Sequence, residues 1–135
     1  MTTAVDSAVL IDVLQDEPNW APRSADALHA ASRAGRLVVC DIVWAEVAGR
    51  FASPGAATAA LSMLDLEFDP LTAPAAADAG QLWRAFRGAG GGRRDRVVAD
   101  FLVGAHALHQ ADALLTRDRG FYRRYFKRLR VIEPA

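Results

Sequence analysis

A chain of 135 residues, 52% hydrophobic and 24% charged, is long enough for one domain with its own buried core and too apolar for wholesale disorder. Its formal net charge of +0 hides an imbalance, because residues 1–83 carry 4 Lys/Arg against 11 Asp/Glu while residues 84–135 carry 12 against 5. A lone Cys40 excludes an internal disulfide, and with no leader-like start and no apolar run long enough to span a bilayer the expectation is a soluble, cytoplasmic protein.

In chain order, Thr3–Val5 reads as a short strand ending at Asp6-Ser7, followed by a helix over Ala8–Leu14. Asp16 to Pro22 reads as a turn region, and Ser24 as the cap of a second helix that runs through Arg33 and stops at Gly35. Leu37–Cys40 is a second buried strand, with Asp41 as N-cap of a helix that carries Glu46. Ser53-Pro54-Gly55 breaks the chain before an Ala-rich helix that ends near Leu64. Leu66–Asp69 is a third strand, and Ala75–Arg87 a further helix with Pro74 near its start. Gly88–Gly92 reads as an exposed loop; it lacks the Lys-Ser/Thr ending of a P-loop and no strand precedes it.

Val97, Val98, Phe101, Leu102, Ala105 and Leu108 then recur at helical spacing. The apolar run Ala113–Leu115 is a buried strand that ends at Thr116-Arg117-Asp118, with Gly120 as a further break. From Arg119 to Arg130 the chain is strongly basic with Phe121, Tyr122, Tyr125 and Phe126 interleaved, and Val131-Ile132 closes it as an edge strand.

Short strands alternating with helices predict an α/β domain with a mainly parallel central sheet and helices on both faces. Ligand sites in such sheets form beyond the carboxyl ends of the strands. Asp6 closes the first strand, Glu46 lies in the helix after the second, and Asp118 follows the later one. Asp100 joins them if it lies in the first turns of its helix. Taken singly, each acid has a structural reading: Asp6 as a cap, Glu46 paired with Arg50, Asp118 starting a turn. Taken together they form a cluster whose repulsion a cation would relieve. Oxygen ligands without His or Cys fit Mg²⁺ or Mn²⁺ rather than zinc, and His29, His106 and His109 form no zinc pattern. Asp12 is turned away from Asp6 by helical rotation and reads as structural.

Four stretches, Asp6–Asp12, Trp44–Val47, Asp100–Ala107 and Leu115–Phe121, resemble a PIN-domain ribonuclease, and among such proteins the VapC toxins of prokaryotic toxin–antitoxin pairs. The resemblance covers nearly the whole chain. It implies a three-layer α/β/α fold, a homodimer, inhibition by a VapB-type antitoxin, and metal-dependent hydrolysis of RNA phosphodiesters. Asp6, Glu46, Asp100 and Asp118 would be the acidic metal-site quartet, led by Asp6 and Asp100, with Ser7 and Thr116 in support. Asp95 also precedes an apolar helical run, but Asp100 fits the Asp-x-x-x-Gly-Ala-x-Ala context better.

Arg93, Arg94, Arg96, Arg117 and Arg119 are candidates for holding RNA backbone, and Phe121 or Tyr122 for stacking on bases, against the alternative of solvated arginines and core aromatics. Trp20, Trp44 and Phe51 are assigned to an antitoxin groove or a dimer core. The competing readings are a silent PIN-like module that binds RNA or protein, a non-toxin nuclease of RNA processing, and a phosphoaspartyl receiver. The receiver expects adjacent early acids and a late lysine, whereas Asp6 is followed by Ser7 and the only lysine is Lys127.

Overall fold

In the computed structural model of the chain, residues 1–90 and 97–135 are described. Five strands are present among them: β1 (Thr2–Val5), β2 (Arg36–Val39), β3 (Glu67–Phe68), β4 (Ala113–Leu115) and β5 (Val131–Ile132). They form one sheet in the order β3-β2-β1-β4-β5, and every pairing is parallel. At its centre Ala4 of β1 stands opposite Val38 on one side and Leu114 on the other. The three middle strands are the apolar runs of the sequence, since a parallel sheet covered on both faces has no polar side to show.

Among the described residues, seven helices connect the strands: α1 (Ser7–Leu14), α2 (Ala21–Ala34), α3 (Asp41–Ala48), α4 (Pro54–Ser62), α5 (Ala73–Gly88), α6 (Val97–Gln110) and α7 (Arg119–Tyr125). The chain steps from β1 to β2 to β3 in one direction, then returns to β4 and β5 on the opposite side of β1. Right-handed crossovers therefore place α1 to α4 on one face and α5 to α7 on the other, which gives the expected three layers. Connections diverge between β1 and β4, so the crevice beyond their carboxyl ends is the natural ligand position. Among the described residues no helix is long and apolar enough to cross a membrane.

Three local expectations are corrected. Ser24 does not cap α2; the helix starts at Ala21 with Pro22 in its first turn, where a missing N–H costs nothing. Asp41 is the first residue of α3 rather than its N-cap, which is Cys40, and its carboxylate instead accepts from the Leu71 amide at 3.0 Å. Gly120 does not break the chain: it lies inside α7, whose N-cap is Asp118. The readings placed on Arg93, Arg94, Asp95 and Arg96, and on the last two glycines of the Gly88–Gly92 loop, lie outside the described residues.

The α5–α7 side is held by aromatic rings. Phe101 lies edge-on to Phe86 and to Tyr125, with centroids 5.7 Å and 5.2 Å away, and tilted against Phe121 at 5.2 Å. Such pairs add about 0.5–1.5 kcal/mol each beyond the area they bury. Phe126 closes down on α6 where Gly104 leaves room; a Cβ there would sit 2.5 Å from the Phe126 Cζ.

Candidate metal site

Asp6 continues the line of β1, its amide donating to the Leu115 carbonyl at 2.9 Å, and then caps α1 in an extended conformation. Its Oδ1 accepts from the Ser7 amide at 2.8 Å, and its Oδ2 accepts from the Thr116 hydroxyl at 2.7 Å. Thr116 is fully buried just past β4, where its amide donates to the Ile132 carbonyl at 3.0 Å. Its Oγ1 also accepts from the Asp118 amide at 3.0 Å. One hydroxyl thus ties the end of β1 to the turn after β4. Asp118 is exposed and caps α7, with Oδ1 accepting from the Phe121 amide at 3.4 Å. Ser7 is buried beside Asp6.

Asp100 lies in the first turn of α6, the position its membership in the cluster requires, and is half-buried like Glu46 of α3. The clearest sign that the acids share one region comes from Tyr122. Its ring is fully buried, and its phenol is pushed well above the usual tyrosine value, first by burial and then by the charges of Asp6, Asp100, Asp118 and Glu46. Acids from four separated segments therefore bear on one buried hydroxyl. Among the described residues that hydroxyl has no hydrogen-bond partner.

Among the described residues, the charged groups that act on Tyr122 are carboxylates. Cys40 is buried, with its thiol pushed up to about 11, chiefly by burial. His106 turns to Asp69 at 2.9 Å and His109 to Asp78 at 2.6 Å. Carboxylates and hydroxyls without thiolate or imidazole suit a hard cation such as Mg²⁺ or Mn²⁺. Among the described residues, no three His, Cys, Asp or Glu side chains stand together as a ready-made ion cage.

A family model described as PIN domain matches residues 3–127. The chain belongs to the PIN-domain family. Solved structures with the same fold include VapBC2 from Rickettsia felis bound to a DNA fragment from its promoter, at a TM-score of 0.74 and 16% identity over 98% of each chain. DNA-bound VapBC from Salmonella typhimurium matches at a TM-score of 0.72 and 17% identity, over 100% of this chain and 99% of that one. VapC20 from Mycobacterium tuberculosis, a Sarcin-Ricin loop cleaving toxin, matches at 0.64 and 16% over 95% and 98%. No curated protein sequence matches the chain.

In this PIN domain the two described arginines assigned to RNA are already engaged. Arg119 pairs with Glu133 at 2.9 Å. Arg117 donates to Asp12 at 2.7 Å and lies over the Trp20 ring, 4.2 Å from its centroid. Of the two aromatics assigned to bases, Tyr122 belongs to the core and Phe121 is half-buried among Phe101, Tyr122 and Tyr125. Trp44 meets the exposed Phe68 edge-on at 5.2 Å, and Phe51 packs half-buried against the core.

Two features of the site escaped the sequence reading. Tyr122 follows Asp118 by four residues, one turn along the same helix face, and that spacing was the available signal. The Asp12–Arg117 pair joins residues 105 positions apart and left no local signal.

Proposed function

We propose that this PIN domain is a Mg²⁺- or Mn²⁺-dependent endoribonuclease that acts as the toxin of a VapBC-type pair. What supports the reading is the Thr116 hydroxyl that ties Asp6 to the turn carrying Asp118, together with the charges of Asp6, Asp100, Asp118 and Glu46, all of which raise the buried Tyr122 phenol. The toxin assignment draws on the fold shared with the VapBC proteins, and the same reading includes a homodimer and a VapB-type antitoxin.

Asp6 and Asp100 would hold the cation, with Glu46 and Asp118 completing its surroundings; when bound it supplies an activated water and neutralises charge on the phosphate. The chain's own groups do the rest. The Ser7 amide and Thr116 hydroxyl each donate to one oxygen of the Asp6 carboxylate and fix its orientation. Asp118, the exposed one of the four, would accept a proton from the attacking water. Tyr122 lies fully buried, and burial together with the acids' charges keeps its phenol protonated.

Incubating labelled RNA with the purified protein in Mg²⁺, in Mn²⁺ and in EDTA tests the reading. Cutting in either metal that stops with EDTA is expected. RNA bound tightly but left intact under all three conditions would replace the nuclease with a silent binding module.

A further inference from the structure

We infer that Asp12 and Arg117 form a positioning pair that locks the Thr116–Asp118 turn onto α1, and that Arg117 serves this role rather than gripping RNA. The inference rests on the nuclease reading above and assigns the pair its part in it.

Asp12 is a carboxylate only 2% exposed. One oxygen accepts from Arg117 Nη1 at 2.7 Å and the other from the Ser24 hydroxyl at 2.8 Å, itself fully buried. A buried charge is tolerated only when paired and hydrogen-bonded, so removing Arg117 would strand Asp12. The guanidinium is further confined by the Trp20 indole, which carries Arg23 at 4.1 Å as well as Arg117. Both arginine and carboxylate are thus committed within the protein.

What the pair does follows from where it sits. Arg117 lies between Thr116, whose hydroxyl holds Asp6, and Asp118, whose amide is held by that same hydroxyl. Asp6 caps α1 and Asp12 lies within it. The turn is therefore fastened to one helix at two points, Thr116 to Asp6 and Arg117 to Asp12. A single fastening leaves a pivot; the second removes it. A reacting geometry displaced by about 1 Å costs on the order of 100-fold in rate, so a residue that never touches substrate still governs turnover here.

The test compares Asp12→Asn, Arg117→Gln, their double variant and Arg117→Lys in the full chain. Steady-state cleavage of RNA is read together with hydrogen exchange of the amides at residues 116–119. In Asp12→Asn and Arg117→Gln we expect kcat to fall about 10- to 100-fold with KM for RNA within about threefold. The double variant should be no worse than the poorer single, as for groups acting as a unit. The Asp118 amide should exchange faster in all three, and Arg117→Lys should restore part of its protection. If Arg117 grips RNA, Arg117→Gln alone will raise KM and flatten the salt dependence, with Asp12→Asn like wild type, and the inference fails. Exchange is independent of cutting. Unchanged exchange in the folded variants overturns the positioning role even if wild type cuts RNA. Faster exchange in a protein that never cuts supports the fastening and overturns only the nuclease reading. Should Asp12→Asn not fold, the half-exposed Arg117 variants carry the same exchange comparison.

Discussion

Replacing Thr116 by valine removes one hydroxyl and almost no volume, at the point where β1 and β4 meet the site. The hydroxyl donates to Asp6 Oδ2 at 2.7 Å and accepts from the Asp118 amide at 3.0 Å. A hydrogen bond to a charged group contributes about 1.5–3 kcal/mol and a neutral one about 0.5–1.5 kcal/mol. Together that is a loss of about 2–4.5 kcal/mol, from which the extra buried methyl returns about 0.8 kcal/mol. A net destabilisation of about 2 kcal/mol is expected, large against a domain's total of about 5–15 kcal/mol. Thr116→Ser keeps the hydroxyl and deletes one buried methyl, at a cost of about 1 kcal/mol. Urea unfolding gives the stability difference as a lower midpoint at constant slope. Cleavage assays separate the two variants further, with serine close to wild type and valine strongly impaired because the Asp6 carboxylate loses the Thr116 hydroxyl that helps to orient it. A valine variant within about 0.5 kcal/mol of wild type that still cuts RNA would show that this hydroxyl does not organise the site.

Three further outcomes follow from the packing and the charges. Gly104→Ala gains about 1 kcal/mol of helix propensity but forces the buried Phe126 ring from α6, so a net loss of about 1–2 kcal/mol and a thermal midpoint lower by about 3–8 °C are expected; an unchanged midpoint would mean the ring can move. Cys40 has its thiol raised to about 11 in the folded chain, so its contribution is intact below the ordinary thiol value and is lost as pH rises toward 11, because only the unfolded chain ionises in that window. Cys40→Ala should show a shallower decline of stability between about pH 9 and 11 than wild type, measured by denaturant unfolding at each pH. Arg119→Ala breaks a half-exposed pair with Glu133 and should change stability by less than about 1 kcal/mol; a larger loss would indicate a role beyond that pair.

The sheet was legible because its strands advertise burial. Val5, Val38, Val39, Leu114 and Leu115 lie in apolar runs bounded by polar or turn residues, and each occupies a central strand. Helix boundaries were less legible. Ser24 has the residue type of a cap, yet its hydroxyl serves Asp12, while Pro22 at the true start was read as part of a turn. The segment after Asp118 was read for chemistry because arginines and aromatics alternate there, and Gly120 masked the helix. Its rings at positions 121, 122, 125 and 126 nevertheless recur at helical spacing and pack inward. Among the candidate site residues, Asp6 and Asp118 were chosen from their place after a strand, Asp100 from its expected place in the first turns of a helix, and Glu46 from the helix that follows the second strand. Thr116 was expected in support from the resemblance, and it does donate to Asp6 across 110 positions, whereas the Arg117–Asp12 pair, across 105, is a long-range contact that only the assembled sheet creates.

The central claim is that four acids act as one metal-dependent centre, and Asp6→Asn, Glu46→Gln, Asp100→Asn and Asp118→Asn compared side by side test it most directly. Each variant keeps its shape and loses one charge, so folding and RNA affinity can be checked by circular dichroism and by binding at matched salt. The account predicts that wild type cuts RNA in Mn²⁺, and that Asp6→Asn and Asp100→Asn lower kcat by at least about 100-fold, with the other two also impaired and RNA binding retained in all. Wild-type cutting by a folded Asp6→Asn or Asp100→Asn variant would contradict it.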